Sequence, residues 1–142
     1  MENILIIGAS GHAKVVVDLV GKLARYKLVG LVDKGSFVGG TLLGYPVLGA
    51  QDDLPAIVSK HNVSGFIVAI GDNYTRAEVA LKTKGQCPSV PFVSLVHPNA
   101  HIGLNTRLGE GSVVMAGACV GADVTIGPQS IVNSNSTVEH LS

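Results

Sequence analysis

The sequence has no tryptophan, and its few phenylalanines and tyrosines make up only 4% of 142 residues. Its apolar fraction, 46%, is therefore mostly aliphatic and small. Val, Ile and Gly in that proportion suit parallel strands and tight stacked turns better than a helical bundle. Charge is also scarce: 14% of residues are charged and the formal net charge is zero. No basic stretch is present that could track a phosphate backbone, so nucleic acid is excluded as a partner. Cysteine is limited to Cys87 and Cys119, without CxxC spacing, and both are expected to be free thiols in a reducing compartment. No apolar run approaches the length of a membrane span. The opening MENILIIGASGH lacks the basic region and the long apolar core of a secretion signal. A soluble cytoplasmic protein is the expectation. His97 and His101 stand far from either cysteine, so no metal site is expected.

What is present falls into two patterns, residues 1–95 and residues 96–142. The first alternates strand and helix. Ile4–Ile7 is a short apolar run ended by glycine, as in a strand buried on both faces. From His12 to Ala24 the apolar residues Val16, Leu19, Val20 and Leu23 recur at helical spacing, with Ser10 placed to cap them. KLVGLVD reads as a second strand ending at Asp33, and GSFVGGTLLGYPVLG as a loop with a short strand at Pro46–Leu48. DDLPAIVSKH opens a helix on two carboxylates that suit the positive end of its dipole. GFIVAIG, NYTRAEVALKTKG and VPFVSLV then read as strand, helix and closing strand. Such alternation implies a Rossmann-like α/β domain with a parallel sheet.

The period changes at Val96. From there the chain divides into hexads whose first residues are Val96, Ile102, Leu108, Val114, Val120, Ile126, Val132 and Val138. Chance would align so many aliphatic residues on the order of once in a thousand such stretches. Fifth positions are small or β-branched, from Ala100 and Thr106 to Ser136, and Gly103, Gly109, Gly121 and Gly127 occupy second positions. This is the pattern of a hexapeptide parallel β-helix, in which each hexad forms one side of a triangular coil. The aliphatic residue lines the interior, the small one fits the corner, and glycine is expected to accept the turn. About two and a third coils leave an open end, so the repeat reads as unfinished.

Three segments carry chemistry. Gly8-Ala9-Ser10-Gly11-His12-Ala13 follows the first strand and opens the first helix. Its free N–H groups offer an anion site, although Ser10 stands where a dinucleotide fingerprint has glycine. His12 by itself suits a surface or capping role, and Asp33 suits either a turn or a ribose contact. Gly71-Asp72-Asn73-Tyr74-Thr75-Arg76 lies at the carboxyl end of the third strand, where open α/β sheets bind ligands. There Asp72 or Asn73 could cap the helix, and Arg76 could meet a phosphate or simply be a solvated charge. The third segment, Asn133 to His140, places His140 third in its hexad, a surface position.

In this order, IIGASGHAKVVVDLV, LVGLVD, YPVLGAQDDL, VAIGDNYTR, LVHPNAHIG and IVNSNSTVEH resemble the PglD/NeuD-type nucleotide-sugar acyltransferases over essentially the whole chain. The resemblance implies a left-handed β-helix, a homotrimer, and acetyl transfer from acetyl-CoA to an amino or hydroxyl group of a nucleotide-activated sugar, UDP-linked by expectation. By position it assigns Ser10, Gly11, His12, Asp33, Gly71 and Asn73 to the sugar-nucleotide pocket. It likewise makes His140 the catalytic base and puts Asn133 near the acceptor. A neutral imidazole titrating near working pH is a suitable base, worth about 10²–10⁴-fold. The chain departs from the family at Leu141, where an acidic residue usually follows the histidine, and at Lys34, which replaces the second acid of an Asp-Asp pair. Ending at Ser142, it is also expected to lack most of the acyl-donor site. Against the enzyme stands a sugar-nucleotide-binding and trimerisation module without catalysis. An NAD-dependent oxidoreductase would rest on the first loop alone, and the hexads do not belong to it.

Overall fold

The computed structural model describes residues 1–34 and 37–139. His140, Leu141, Gly35 and Ser36 lie outside the described residues. The chain divides into two compact units, Met1–Phe92 and Val93–Ser142.

The first unit contains β1 (Glu2–Ile7), α1 (Gly11–Lys22), β2 (Tyr26–Val32), β3 (Thr41–Leu42), β4 (Tyr45–Gly49), α2 (Leu54–His61), β5 (Gly65–Val68) and α3 (Asn73–Gln86). The sheet order is β3-β4-β2-β1-β5. Strands β4, β2, β1 and β5 run parallel, while β3 is antiparallel to β4. Both faces of β1 are buried, which is why its sequence is a run rather than an alternation. Leu5, Ile7, Val32, Phe66 and Val68 join Leu54, Ile57 and Ala80 from α2 and α3 in one apolar cluster. Ile4 and Ile6 point to the opposite face by strand alternation, and helix α1 buries Ala13, Val16, Val17, Leu19 and Val20.

Two local expectations change. The glycine-rich stretch forms a β3–β4 hairpin rather than a loop with one strand, turned at Leu43 (φ 49°) and Gly44 (φ 87°). Two successive positive φ values are what a two-residue hairpin turn requires. VPFVSLV, in turn, is not a strand of this sheet. It pairs with it at a Phe66–Phe92 bridge and packs Val90 and Phe92 beneath it, and Leu95 already belongs to the second unit.

The second unit contains β6 (Leu95–Val96), β7 (His101–Ile102), β8 (Arg107–Leu108), β9 (Val113–Val114), β10 (Cys119–Val120), β11 (Thr125–Ile126), β12 (Ile131–Val132) and β13 (Thr137–Val138). They stack into three parallel sheets, β6-β9-β12, β7-β10-β13 and β8-β11. Val96, Val114 and Val132 lie one above another; so do Ile102, Val120 and Val138, and Leu108 with Ile126. All the first-position residues join a single apolar cluster. This is the hexapeptide-repeat arrangement of a left-handed β-helix, with a coil of three hexads.

Fifth-position hydroxyls tie one coil to the next. Ser94 Oγ donates to the Gly109 carbonyl at 2.9 Å and Thr106 Oγ1 to Gly121 at 2.6 Å, while Ser112 Oγ lies 2.6 Å from the Gly109 carbonyl of its own coil and 3.0 Å from that of Gly127 in the next. The glycines have a different role from the one expected. Left-handed backbone falls on fourth positions: Asn105, Gly111, Gly117, Asp123, Gln129 and Asn135 have φ between 56° and 74°. The second-position glycines serve stacking instead. A Cβ on Gly103 would strike the backbone of Gly121 and Ala122, and one on Gly109 the backbone of Gly127 and Pro128.

Candidate sugar-nucleotide site

The carboxyl ends of β1, β2 and β5 border a cavity of about 450 Å³. Ile7, Gly8, Val32 and Asp33 form one side, Ala50, Gln51 and Asp52 another, and Thr75, Val79 and Lys82 of α3 a third. Gly8 lets the chain turn sharply there. Its φ is +114°, its N–H donates to the Val32 carbonyl at 2.7 Å, and a Cβ would lie 2.8 Å from the Ala69 oxygen. Asp33 then ties two loops together, its carboxylate accepting from Ala9 N–H at 2.9 Å and Lys34 N–H at 2.8 Å. The far wall is held by Gln51, whose Nε2 donates to Thr83 Oγ1 at 3.0 Å and Gln86 Oε1 at 2.8 Å. At the rim, Lys82 Nζ lies 3.5 Å from Asp52 Oδ1; both are largely exposed, so this pair contributes little stability.

The other residues singled out in the first two motifs surround the loops after β1 and β5. Ser10 occupies the N-cap position of α1, but its exposed side chain makes no capping bond; only its carbonyl receives Ala13 N–H, at 3.0 Å. Gly11 is exposed, and no atom lies within 4 Å of where its Cβ would stand. His12 is half-buried, and its Nε2 is shielded from solvent without a hydrogen-bond partner among the described residues. Burial, and secondarily the Arg76 charge, hold its pKa below the ordinary 6.5. A Cβ on Gly71 would come 3.8 Å from His12 Cβ, which sets the two loops side by side.

In the second loop Asp72, not Asn73, is the cap. Its carboxylate accepts from Thr75 N–H at 2.8 Å and Thr75 Oγ1 at 2.7 Å, and these bonds lower its pKa. Arg76 is neither a solvated charge nor a group reaching outward. It is buried, donating to the carbonyls of Ile70 and Gly71 at 3.0 and 3.1 Å and to Asn73 Oδ1 at 2.6 Å. Asn73 itself is exposed.

In the second unit Asn133 is exposed beside β12, and His140 falls outside the described residues. Cys87 is buried and Cys119 half-buried, both free, and burial pushes the Cys87 thiol up. No His, Cys, Asp or Glu group among the described residues could hold a metal ion, and no helix there is long and apolar enough to cross a membrane. Sequence reasoning missed Thr75, Val79 and Lys82. Their spacing along α3 was the available signal, since such positions share a helix face.

A parallel α/β unit with an open cleft at its carboxyl edge and, after it, a six-residue parallel coil make up the architecture of a hexapeptide-repeat protein with an added α/β domain. Residues 3–83 match the PglD N-terminal domain model, and residues 105–140 match the bacterial transferase hexapeptide model. The UDP-N-acetylbacillosamine N-acetyltransferase of Bacillus subtilis is 31% identical over 122 residues, covering 82% of this chain and 52% of that protein. Perosamine N-acetyltransferase from Caulobacter crescentus, solved with CoA and GDP-perosamine, superposes with a TM-score of 0.87 at 34% identity, covering 98% of this chain and 63% of the other. The acetyltransferase domain of PglB from Neisseria gonorrhoeae, solved with acetyl coenzyme A, gives 0.86 at 31%, covering 98% and 65%. The chain thus spans about half the length of the curated relative and under two thirds of these solved chains. It belongs to the PglD-type, hexapeptide-repeat family of nucleotide-sugar acetyltransferases.

Proposed function

We propose that this protein transfers an acetyl group from acetyl-CoA to an amino or hydroxyl group of a nucleotide-activated sugar in the cytoplasm, as a homotrimer. What carries the reading is the combination in one chain of the cleft bounded by Gly8 and Asp33 with a coil in strict three-hexad register. The likeness to enzymes solved with CoA, GDP-perosamine or acetyl coenzyme A supports it.

In this reading the first unit holds the nucleotide. Apolar walls from Ile7, Val32, Ile70 and Val79 take its base or ribose, and the loops carrying Ser10, Gly11, His12, Gly71 and Asn73 take the diphosphate and sugar. Asp33 serves by holding the first loop in shape and by presenting what remains of its acceptor capacity to a ribose hydroxyl. UDP is the expected nucleotide. In the second unit His140 is the general base and Asn133 stands near the acceptor. His140 takes a proton from the sugar's amine or hydroxyl, whose lone pair then forms the bond to the acetyl carbon. Acetyl-CoA supplies the acyl group; its carbon–sulfur bond breaks, and the leaving sulfur takes up the proton held by His140 to depart as the thiol.

The test is release of free thiol when the chain is mixed with acetyl-CoA and a panel of UDP- and GDP-amino sugars. Turnover with at least one sugar would bear the reading out, and it should fall by about 10²-fold or more in His140→Ala. Nucleotide binding with no turnover on any acceptor would reduce the protein to a sugar-nucleotide-binding module.

A further inference from the structure

Arg76 stands in the first turn of α3 and is only 5% exposed. A cation taken out of water must be well supplied with acceptors, and here the chain itself supplies them. The carbonyls of Ile70 and Gly71 and Oδ1 of Asn73 accept from its two terminal nitrogens. Guanidinium nitrogens donate only, so the Asn73 atom 2.6 Å away must be the oxygen. An amide orientation that is usually a matter of assignment is thereby settled by chemistry. The Asn73 amino group is left pointing away from the guanidinium, on an exposed residue.

The surroundings are mixed, since the exposed Asp72 carboxylate caps the same helix end and already takes the Thr75 N–H. Asn73 begins α3, whose first N–H groups point the same way as any helix amino end. It follows Gly71, where only the His12 Cβ, at 3.8 Å, comes near a would-be side chain. We propose that Arg76 is a positioning residue for the sugar-nucleotide site, fixing Asn73 so that its amino group donates to an acceptor oxygen of the diphosphate or of the sugar. This rests on the nucleotide-sugar reading above. It gives Arg76 a part in binding without contact to ligand, and it predicts that Asn73 acts by donating a hydrogen bond, not by accepting one.

Calorimetric titration of the chain with UDP and with UDP-N-acetylglucosamine tests it, with thermal melts as the control for folding. Asn73→Ala should weaken binding about ten-fold, the worth of one hydrogen bond. Asn73→Asp keeps the bond to Arg76 but replaces the donor with a carboxylate oxygen, so it should weaken binding at least as much while melting like the parent. Arg76→Lys cannot span both carbonyls and the amide; it should weaken binding several-fold in the parent and add little in the Asn73→Ala background. Equal Asn73→Ala penalties with UDP and UDP-N-acetylglucosamine would place the acceptor on the diphosphate, and a penalty confined to the latter would place it on the sugar. Undiminished binding by Asn73→Asp, or losses from Arg76→Lys and Asn73→Ala that simply multiply, would overturn the proposal while leaving the nucleotide-sugar reading in place. If the unaltered chain bound no nucleotide of the panel at millimolar concentration, both would fall.

Discussion

Glycine stands at position 11 although no protein atom lies within 4 Å of where a side chain would begin. Nothing among the described residues requires it, and the proposed nucleotide site would use that open space. Gly11→Val should therefore melt within about 0.5 kcal/mol of the parent, as surface changes do, yet bind a nucleotide sugar at least several-fold more weakly by calorimetry. Unchanged affinity would remove the first loop from the site. Gly103 presents the opposite case, because the next coil's backbone fills the space a Cβ would need. Gly103→Ala should lose about 1–3 kcal/mol in denaturant unfolding, the usual cost of overpacking. Gly127→Ala, whose nearest neighbour is the Ser130 hydroxyl at 3.8 Å, should lose almost nothing. His12 adds a pH dependence. Its folded pKa lies below 6.5, so the unfolded chain binds its proton first as pH falls. The contribution to stability is complete above that value and is lost as pH drops toward the folded pKa. Melting should fall between pH 7 and pH 5, and His12→Gln should flatten that slope; an unaltered slope would contradict the buried, neutral imidazole.

Elements differ in how plainly the chain announces them. The coil could be read from its hexads because burial of one residue in six is its main constraint, and Val96 through Val138 satisfy it without exception. The roles of its glycines could not, since crowding between coils depends on residues eighteen apart that become neighbours only after folding. Helices α1 and α3 were readable from the spacing of Val16, Leu19 and Val20 and from the Asp72 cap. The β3–β4 hairpin was hidden because a two-residue strand has no period to detect. VPFVSLV misled because apolar, β-branched residues mark a strand without saying which sheet receives it, and Leu95 N–H donates to Ser112 in the coil at 2.9 Å. The hairpin carries its own test. Leu43 is 59% exposed with φ 49°, a conformation costly for leucine and natural for asparagine. Leu43→Asn should raise stability by about 0.5–1 kcal/mol in denaturant unfolding; a loss would mean that the leucine makes contacts outweighing the backbone strain.

For the whole molecule, the proposal divides the work between the two units: the cleft of one for the nucleotide, the coil of the other for acetyl transfer and assembly. The proposed trimer predicts a light-scattering mass three times that of the protomer at micromolar concentration; a monomer there would count against it. Part of the site was visible in the chain, namely the turns after β1 and β5. The third wall was visible only as a shared helix face of Thr75, Val79 and Lys82, which faces the cleft once α3 lies along the sheet. Arg76 reads in the chain as either a phosphate contact or a solvated charge, and only the folded loop reveals the carbonyls that claim it. The most direct measurement is the backbone amide spectrum of the chain during titration with a nucleotide sugar. Saturable shifts should concentrate at Gly8 to His12, Asp33 and Gly71 to Thr75. Shifts confined to residues of the coil, or none at saturating ligand, would contradict a nucleotide bound at the carboxyl edge of the sheet.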